Sequence, residues 1–296
     1  MKGKTILSLA LLTAWQTAQA EPVFGPQARS VLQPKQMEAG VGAQMGYQSS
    51  EIIGSPGTTF KDRVWQIPLF ARYGVTDAIE SKVMVPIVRA VDSAEGNSSF
   101  RYANTGIGNI EAGTKWNFIK DGPMALAAAL DLDLPTANPR RNPGSLGERY
   151  NNQLQQGFNE HLQLVADSSK FDELLTVHAQ VGYMNTATYT TSSDTRFNPS
   201  DLFTFGASVD MDLSKWANHL SVAGEMVGNS ALNHSKTNGD TNGNDKGTVL
   251  EAGPSLRYQS GPVRTYAGFL IDAGPATFRA YNYRVNFGAS LLWGGK

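Results

Sequence analysis

Tyr281-Asn282-Tyr283-Arg284-Val285-Asn286-Phe287-Gly288-Ala289-Ser290-Leu291-Leu292-Trp293 carries an apolar or aromatic residue at every odd position. Successive side chains of a strand point to opposite faces, so the stretch writes one greasy face and one largely wet face. The same script recurs about a dozen times upstream. Met37, Ala39, Val41, Ala43, Met45 and Tyr47 alternate with Glu38, Gly40, Gly42, Gln44 and Gly46. Further on, Phe203, Phe205, Ala207, Val209 and Met211 alternate with Thr204, Gly206, Ser208, Asp210 and Asp212. A helix would need apolar residues three and four apart, which these segments lack.

The first twenty residues read as a cleaved signal peptide: Lys2 and Lys4, an apolar run from Thr5 to Ala14, and Ala18-Gln19-Ala20 before Glu21. Residues 21–36 lack periodicity and read as an irregular periplasmic segment, leaving 37–296 as one domain. No later stretch has the ~18 uncharged apolar residues of a membrane-crossing helix. Without the signal, 23 basic residues face 26 acidic ones, so nothing points to nucleic acid. The absence of cysteine excludes a disulfide scaffold and thiolate chemistry. Mean hydropathy is negative, as in transmembrane β-barrels, where only alternate residues meet lipid.

The pattern therefore predicts an all-β, antiparallel, up-and-down transmembrane barrel of about twelve strands. Short turns fall at 74–77, 120–123, 167–172, 214–218 and 259–262, and long polar loops near 49–60, 89–108, 136–152, 185–200, 229–247 and 273–279. Short turns on the periplasmic side place both chain ends there. An exported soluble β-sandwich alternates too. It does not explain strands of the ~9–11 residues that cross a bilayer at a tilt, or outward faces ending in Trp65, Tyr73, Trp116, Phe118, Tyr183, Tyr258, Tyr281 and Trp293. Pro68, Pro86 and Pro254 inside strands predict bulges, since proline removes a ladder donor.

Phe70-Ala71-Arg72-Tyr73-Gly74-Val75-Thr76-Asp77 leads into a strand ending at Pro86. Gly106-Ile107-Gly108-Asn109, Lys115 and Leu134-Pro135-Thr136 follow. In this order they resemble a family of outer-membrane proteins associated with meta-pathway phenol degradation, often labelled transporters. Asn109 and Ala137 depart from the family pattern, which has Asp and Gly there. The resemblance implies a Gram-negative outer-membrane location and a transport role. The chain end, with Asn286, Gly288, Leu291 and Trp293, also resembles the signal read by barrel-assembly machinery, with Gly294-Gly295-Lys296 as an overhang.

By parity, Arg72, Lys82, Lys115, Arg257, Arg264 and Arg284 point inward with Glu38, Glu80, Glu111, Asp131, Asp133, Asp210, Asp212, Glu225, Glu251 and Asp272. They form either an ion-paired polar filling or a pore lining with mild cation preference. His161 and His178 also face inward, and the expected register sets them opposite one another across a turn near Ser169 and Lys170. Asp131 or Asp133 could then complete a metal site, but the spacing is no metal motif, and ordinary luminal polarity is the preferred reading. No serine–histidine pair has a catalytic spacing, so no enzyme, cofactor or metal is expected. The expected partners are outer-membrane lipid, the barrel-assembly machinery and a small-molecule solute. The function that follows is passive uptake of small molecules, with aromatic or hydrophobic carbon sources first. A structural or adhesive barrel is the alternative, and a membrane-embedded lipase-like enzyme comes after it.

Overall fold

A computed structural model describes residues 28, 31–51, 59–96, 100–120, 122–137, 158–170, 174–190, 196–217, 219–241, 247–274 and 282–295. The segment 1–20 and Tyr281 lie outside these residues. The strands are β1 (Gln36–Glu51), β2 (Thr59–Gly74), β3 (Ile79–Glu95), β4 (Phe100–Ile107), β5 (Ile110–Ile119), β6 (Met124–Leu134), β7 (Asn159–Lys170) and β8 (Leu175–Thr186). They continue with β9 (Tyr189–Thr190), β10 (Arg196–Asn198), β11 (Leu202–Asp212), β12 (Leu220–Ala231), β13 (Lys236–Thr237) and β14 (Asp240–Thr241). The last are β15 (Thr248–Ser260), β16 (Val263–Asp272) and β17 (Tyr283–Gly294).

Every neighbouring pair in the wall is antiparallel. The first strand closes on the last through Met37↔Trp293 to Tyr47↔Tyr283, and β2 pairs with β3 to complete the ring. Twelve positions result, because β4 and β5 share one: β4 pairs with the upper part of β3 and β5 with its lower part. A closed sheet leaves no edge, which is what hydrocarbon demands of a strand protein.

Burial is inverted relative to a water-soluble domain. Outward Leu162, Leu164, Phe287 and Leu291 are about half exposed, whereas inward Glu38, Asp167, Asp210 and Glu225 are buried. Each outward face thus keeps an apolar belt that water would not tolerate and lipid would cover. Aromatics rim it at both ends: Tyr73, Trp116, Tyr258 and Trp293 beside the short turns, and Trp65, Tyr183 and Phe203 beside the long loops. Tyr283 and Trp293 lie ten residues apart on β17, about 34 Å along a strand. A ~40° tilt reduces that to about 26 Å, close to the ~25 Å belt of outer-membrane barrels.

The structure corrects the expected loops. Strands β1, β2 and β3 run on to Glu51, from Thr59 and to Glu95, and β4 occupies the end of the span expected as loop 89–108. Arg63, Arg89, Ser93 and Glu95 interrupt the apolar outer face there, while Val64, Val88 and Ala90 are buried on the inner one, so alternation no longer marks these extensions. Within the spans expected as loops 185–200 and 229–247, β9, β10, β13 and β14 form a separate small sheet. The β7–β8 hairpin is also registered differently: His161 faces Met184, and His178 faces Asp167. The slip from the expected pairing is an even number of residues, so every side chain keeps its face while every partner changes.

Two turns show why the sequence folds locally as it does. The Thr76 hydroxyl accepts the amides of Ala78 and Ile79 at 3.2 and 3.0 Å, tying the turn after β2. Lys120 from the next short turn donates to Asp77 at 2.6 Å and holds its exposed carboxyl below the usual range. The bulges expected at the strand prolines do not form: Pro68 and Pro86 sit opposite one another in an unshifted β2–β3 ladder, Pro254 keeps register with Gly224, and the Pro86 carbonyl accepts the Gly108 amide at 2.8 Å where β4 breaks into β5.

Candidate functional site: a charge-laced lumen with a half-filled mouth

Inward side chains of β16, β17, β1, β2, β3 and β5 form an alternating chain of charge near the short turns. Glu38 accepts Arg72 Nη1 at 2.8 Å, Arg264 Nη1 at 3.2 Å and the Ser290 hydroxyl at 2.6 Å. Arg72 also donates through Nη2 to both oxygens of Glu80, at 2.9 and 3.0 Å. Lys115 Nζ lies 3.2 Å from Glu80. The order Arg264–Glu38–Arg72–Glu80–Lys115 leaves each carboxylate between two cations, the arrangement that offsets desolvation of buried charge.

Further around the wall, Lys82 Nζ bridges Glu111 at 2.6 Å and Asp131 at 2.9 Å. Asp133 accepts Asn159 Nδ2 at 3.2 Å. Arg284 pairs with Glu251 at 2.6 Å on the opposite side. Asp212 accepts the Ser214 amide at 2.8 Å, and Asp272 the Gly274 amide at 3.1 Å. Glu225 is buried on β12, and Arg257 stands opposite Tyr266. A count of inward acids against bases therefore overstates the negative field, because much of it is neutralised locally.

The two inward histidines do not meet. His161 contacts Thr204 Oγ1 and Gln163 Nε2, each at 2.8 Å. His178 sits between two buried carboxylates, with Nδ1 at 2.8 Å from Asp167 Oδ1 and Nε2 against Asp210 Oδ2. Parity alone would have flagged Asp167 as luminal, but the expected turn at 167–172 removed it from the wall. Among the described residues no cluster of three His, Cys, Asp or Glu side chains could hold a metal ion.

The segment before β1 adds what pattern reading missed. Ala28 is fully buried against Ala125, Ala127 and Val165, inward residues of β6 and β7. Its carbonyl accepts Asn117 Nδ2 at 2.7 Å. Leu32, also buried, donates its amide to Glu80 Oε2 at 3.1 Å, and the Lys35 amide donates to the Gly74 carbonyl at 2.8 Å. At Gly74 a Cβ would lie 2.0 Å from the Gln33 carbonyl oxygen, so only glycine lets the segment pass. Residues with no periodicity thus lie inside the short-turn mouth, along the β2–β7 side. A short apolar and polar lead-in carries no sequence signal for that position.

On the opposite side of the mouth the described residues leave a cavity of about 220 Å³, bounded by β1, β2, β15, β16, β17 and the β11–β12 turn. Phe70, Arg72, Arg257, Arg264 and Tyr266 line it.

A closed twelve-strand wall, a lipid-suited exterior and a hydrated, charge-paired interior define the class as a transmembrane β-barrel of the outer-membrane type. The chain matches over residues 57–287 the family described as "Putative MetA-pathway of phenol degradation", and it belongs to that family. Among solved structures, an outer membrane channel from Pseudomonas putida F1 is similar with a TM-score of 0.74 at 15% identity, covering 91% of this chain and 99% of that one. The β domain of the Bordetella autotransporter BrkA gives 0.50 at 11% identity, covering 88% and 100%. The translocator domain of the autotransporter NalP from Neisseria meningitidis gives 0.51 at 11%, covering 89% and 90%. No curated protein sequence matches the chain.

The motif residues gather at two places in the wall. Arg72 and Lys115 grip Glu80, Gly74 admits the N-terminal segment, and Thr76 ties the turn. Thr136 Oγ1 accepts the Ile110 amide at 2.8 Å beside the break in the wall. The two departures from the family pattern touch: Asn109 Oδ1 accepts the Ala137 amide at 3.1 Å.

Proposed function

We propose that the protein is an outer-membrane channel through which small molecules diffuse into the periplasm, with the short turns and both termini on the periplasmic side. The observation that carries this reading is the interior: polar and charged, with a cavity left open beside the N-terminal segment, where a structural barrel would be packed solid. Family membership makes aromatic or hydrophobic carbon sources the first choice of solute, and small hydrophilic solutes the second. Catalysis is not part of the proposal, since His161 and His178 are engaged by Thr204, Gln163 and two carboxylates. Purified protein in planar bilayers should give discrete single-channel steps in potassium chloride. A correctly folded, heat-modifiable protein with no conductance would overturn the channel reading in favour of a structural or adhesive barrel.

Residues 1–20 act as the export signal in this proposal, and Asn286, Gly288, Leu291 and Trp293 present the last strand to the barrel-assembly machinery. Leu291 and Trp293 face outward on β17, and Gly294 turns the overhang away with φ of 78°. That strand also closes the ring against β1. Deleting 286–296 should abolish heat-modifiable migration on gels, and undiminished assembly would refute the assignment.

A further inference from the structure

The outward face of β2, β3 and β4 changes character toward its long-loop end, and strand register sets the change out in rows. Ile67, Ile87 and Ile107 form one row across the three strands, each about half exposed. The next row holds Trp65, Arg89 and Thr105, the one after it Arg63, Val91 and Ala103, and the last Lys61, Ser93 and Arg101. Rows on one face lie about 6.7 Å apart along a strand, and neighbouring strands about 4.8 Å apart. Four cations therefore share a patch of roughly 13 by 10 Å, set directly above isoleucine and beside tryptophan.

Little on the wall neutralises them. Glu95 holds Lys61 at 2.5 Å, and the Arg63 guanidinium stands 5.5 Å from the centre of the Tyr47 ring. Arg89 and Arg101 are exposed, with no ion pair or hydrogen bond to their side chains among the described residues. Glu51 and Glu95 flank Thr59 one row further out, so four cations on this face meet two acids. Like charges this close repel, and each guanidinium offers a planar fork that a phosphate fills.

The charge is also one-sided and lies on the tall part of the wall. Strands β1, β2 and β3 have 16, 16 and 17 residues, against 12 in each of β7, β8 and β12. On that shorter side the same rim carries exposed Glu160 on β7 and Asp201 beside Tyr183. The tall side thus lifts its cations just past the apolar belt, to the level of lipid headgroups. A free anion would use the cations and leave the isoleucines bare. A zwitterionic lipid would cover the isoleucines and leave the arginines unmet.

We propose that this patch binds the phosphorylated glycolipid of the outer leaflet, its phosphates on Arg63, Arg89 and Arg101 and its acyl chains over the isoleucine row. The site takes from the channel reading only the orientation, long loops outward, and it needs no conduction.

Native mass spectrometry of the mature chain, refolded in detergent from lipid-free material, tests the site. The probes are lipid A, its dephosphorylated form and phosphatidylglycerol. Lipid A should bind about tenfold more tightly than either, and millimolar inorganic phosphate should not displace it. Arg63→Gln combined with Arg89→Gln should weaken lipid A about a hundredfold, roughly tenfold for each charge-assisted hydrogen bond lost. Arg101→Gln, on a third strand, should cost about tenfold by itself and serves if the double variant does not fold. Arg196 is exposed on β10, outside the wall, and Arg196→Gln should change nothing. Heat-modifiable migration establishes that each variant is folded. Displacement by phosphate, equal binding of the dephosphorylated lipid, or undiminished binding in the folded variants would overturn the site and leave the channel standing. A preference for phosphatidylglycerol would overturn the outer-leaflet assignment and the orientation with it. Lipid A binding by a protein without conductance would support the site and overturn the channel.

Discussion

His178→Leu should destabilise the barrel by roughly 3–5 kcal/mol, the usual consequence of stripping the partner from buried charge. Asp167 and Asp210 are each about 1% exposed, on β7 and β11, and His178 on β8 stands between them. The imidazole bridges both carboxylates across three adjacent strands. Without it, the two carboxylates share a dry site with the bridging ring gone. Unfolding by urea in detergent micelles, followed by tryptophan fluorescence, should show the midpoint falling sharply. Converting both carboxylates to amides in the same background, Asp167→Asn with Asp210→Asn, should recover most of the loss, because the penalty comes from the orphaned charge and not from the missing ring. A His178→Leu protein within about 0.5 kcal/mol of the parent, the scatter of ordinary surface substitutions, would show that the cluster is solvated and carries no such load.

Removing residues 21–33 should raise single-channel conductance several-fold without loss of the folded barrel. Ala28 and Leu32 are held inside the mouth by the Asn117 amide, the Glu80 carboxylate and the apolar contacts of Ala125, Ala127 and Val165. None of these contacts belongs to the barrel's own ladder, so their loss should leave the strands paired. Leu32→Asp is a gentler version: it sets a second carboxylate near Glu80 and should loosen the segment by like-charge repulsion. Bilayer recordings of the three proteins under one salt condition decide the matter. Equal conductance in all three would mean that the segment lies off the conducting path.

The architecture was legible because a period of two is insensitive to the errors a reader makes. The β7–β8 hairpin slid by an even number of residues from its expected register, and the luminal face survived while the proposed His161–His178 pair vanished in favour of Asp167–His178. The end of β3 carries no such signal, since Arg89, Ser93 and Glu95 replace apolar residues on its outer face while Val88 and Ala90 sit on the inner one. The glycines at 40, 42 and 288 looked like ordinary small inward residues. Their purpose, clearance for Phe70 and Tyr266 from neighbouring strands, exists only once register is known.

The sequence by itself determined which face of each strand meets lipid, the approximate count and direction of strands, and the membership of most charged residues in the lumen. Those are properties of single strands, set by alternation over a few residues. Only the tertiary structure decided which charges neutralise one another, that Ala28 and Leu32 turn back into the mouth, and that two rings and three arginines gather at its other side. These depend on ring closure and on contacts between residues as much as 252 positions apart, as in the Ser290–Glu38 bond. Pairing of that kind is fixed by register summed around the whole wall, and no local pattern encodes it.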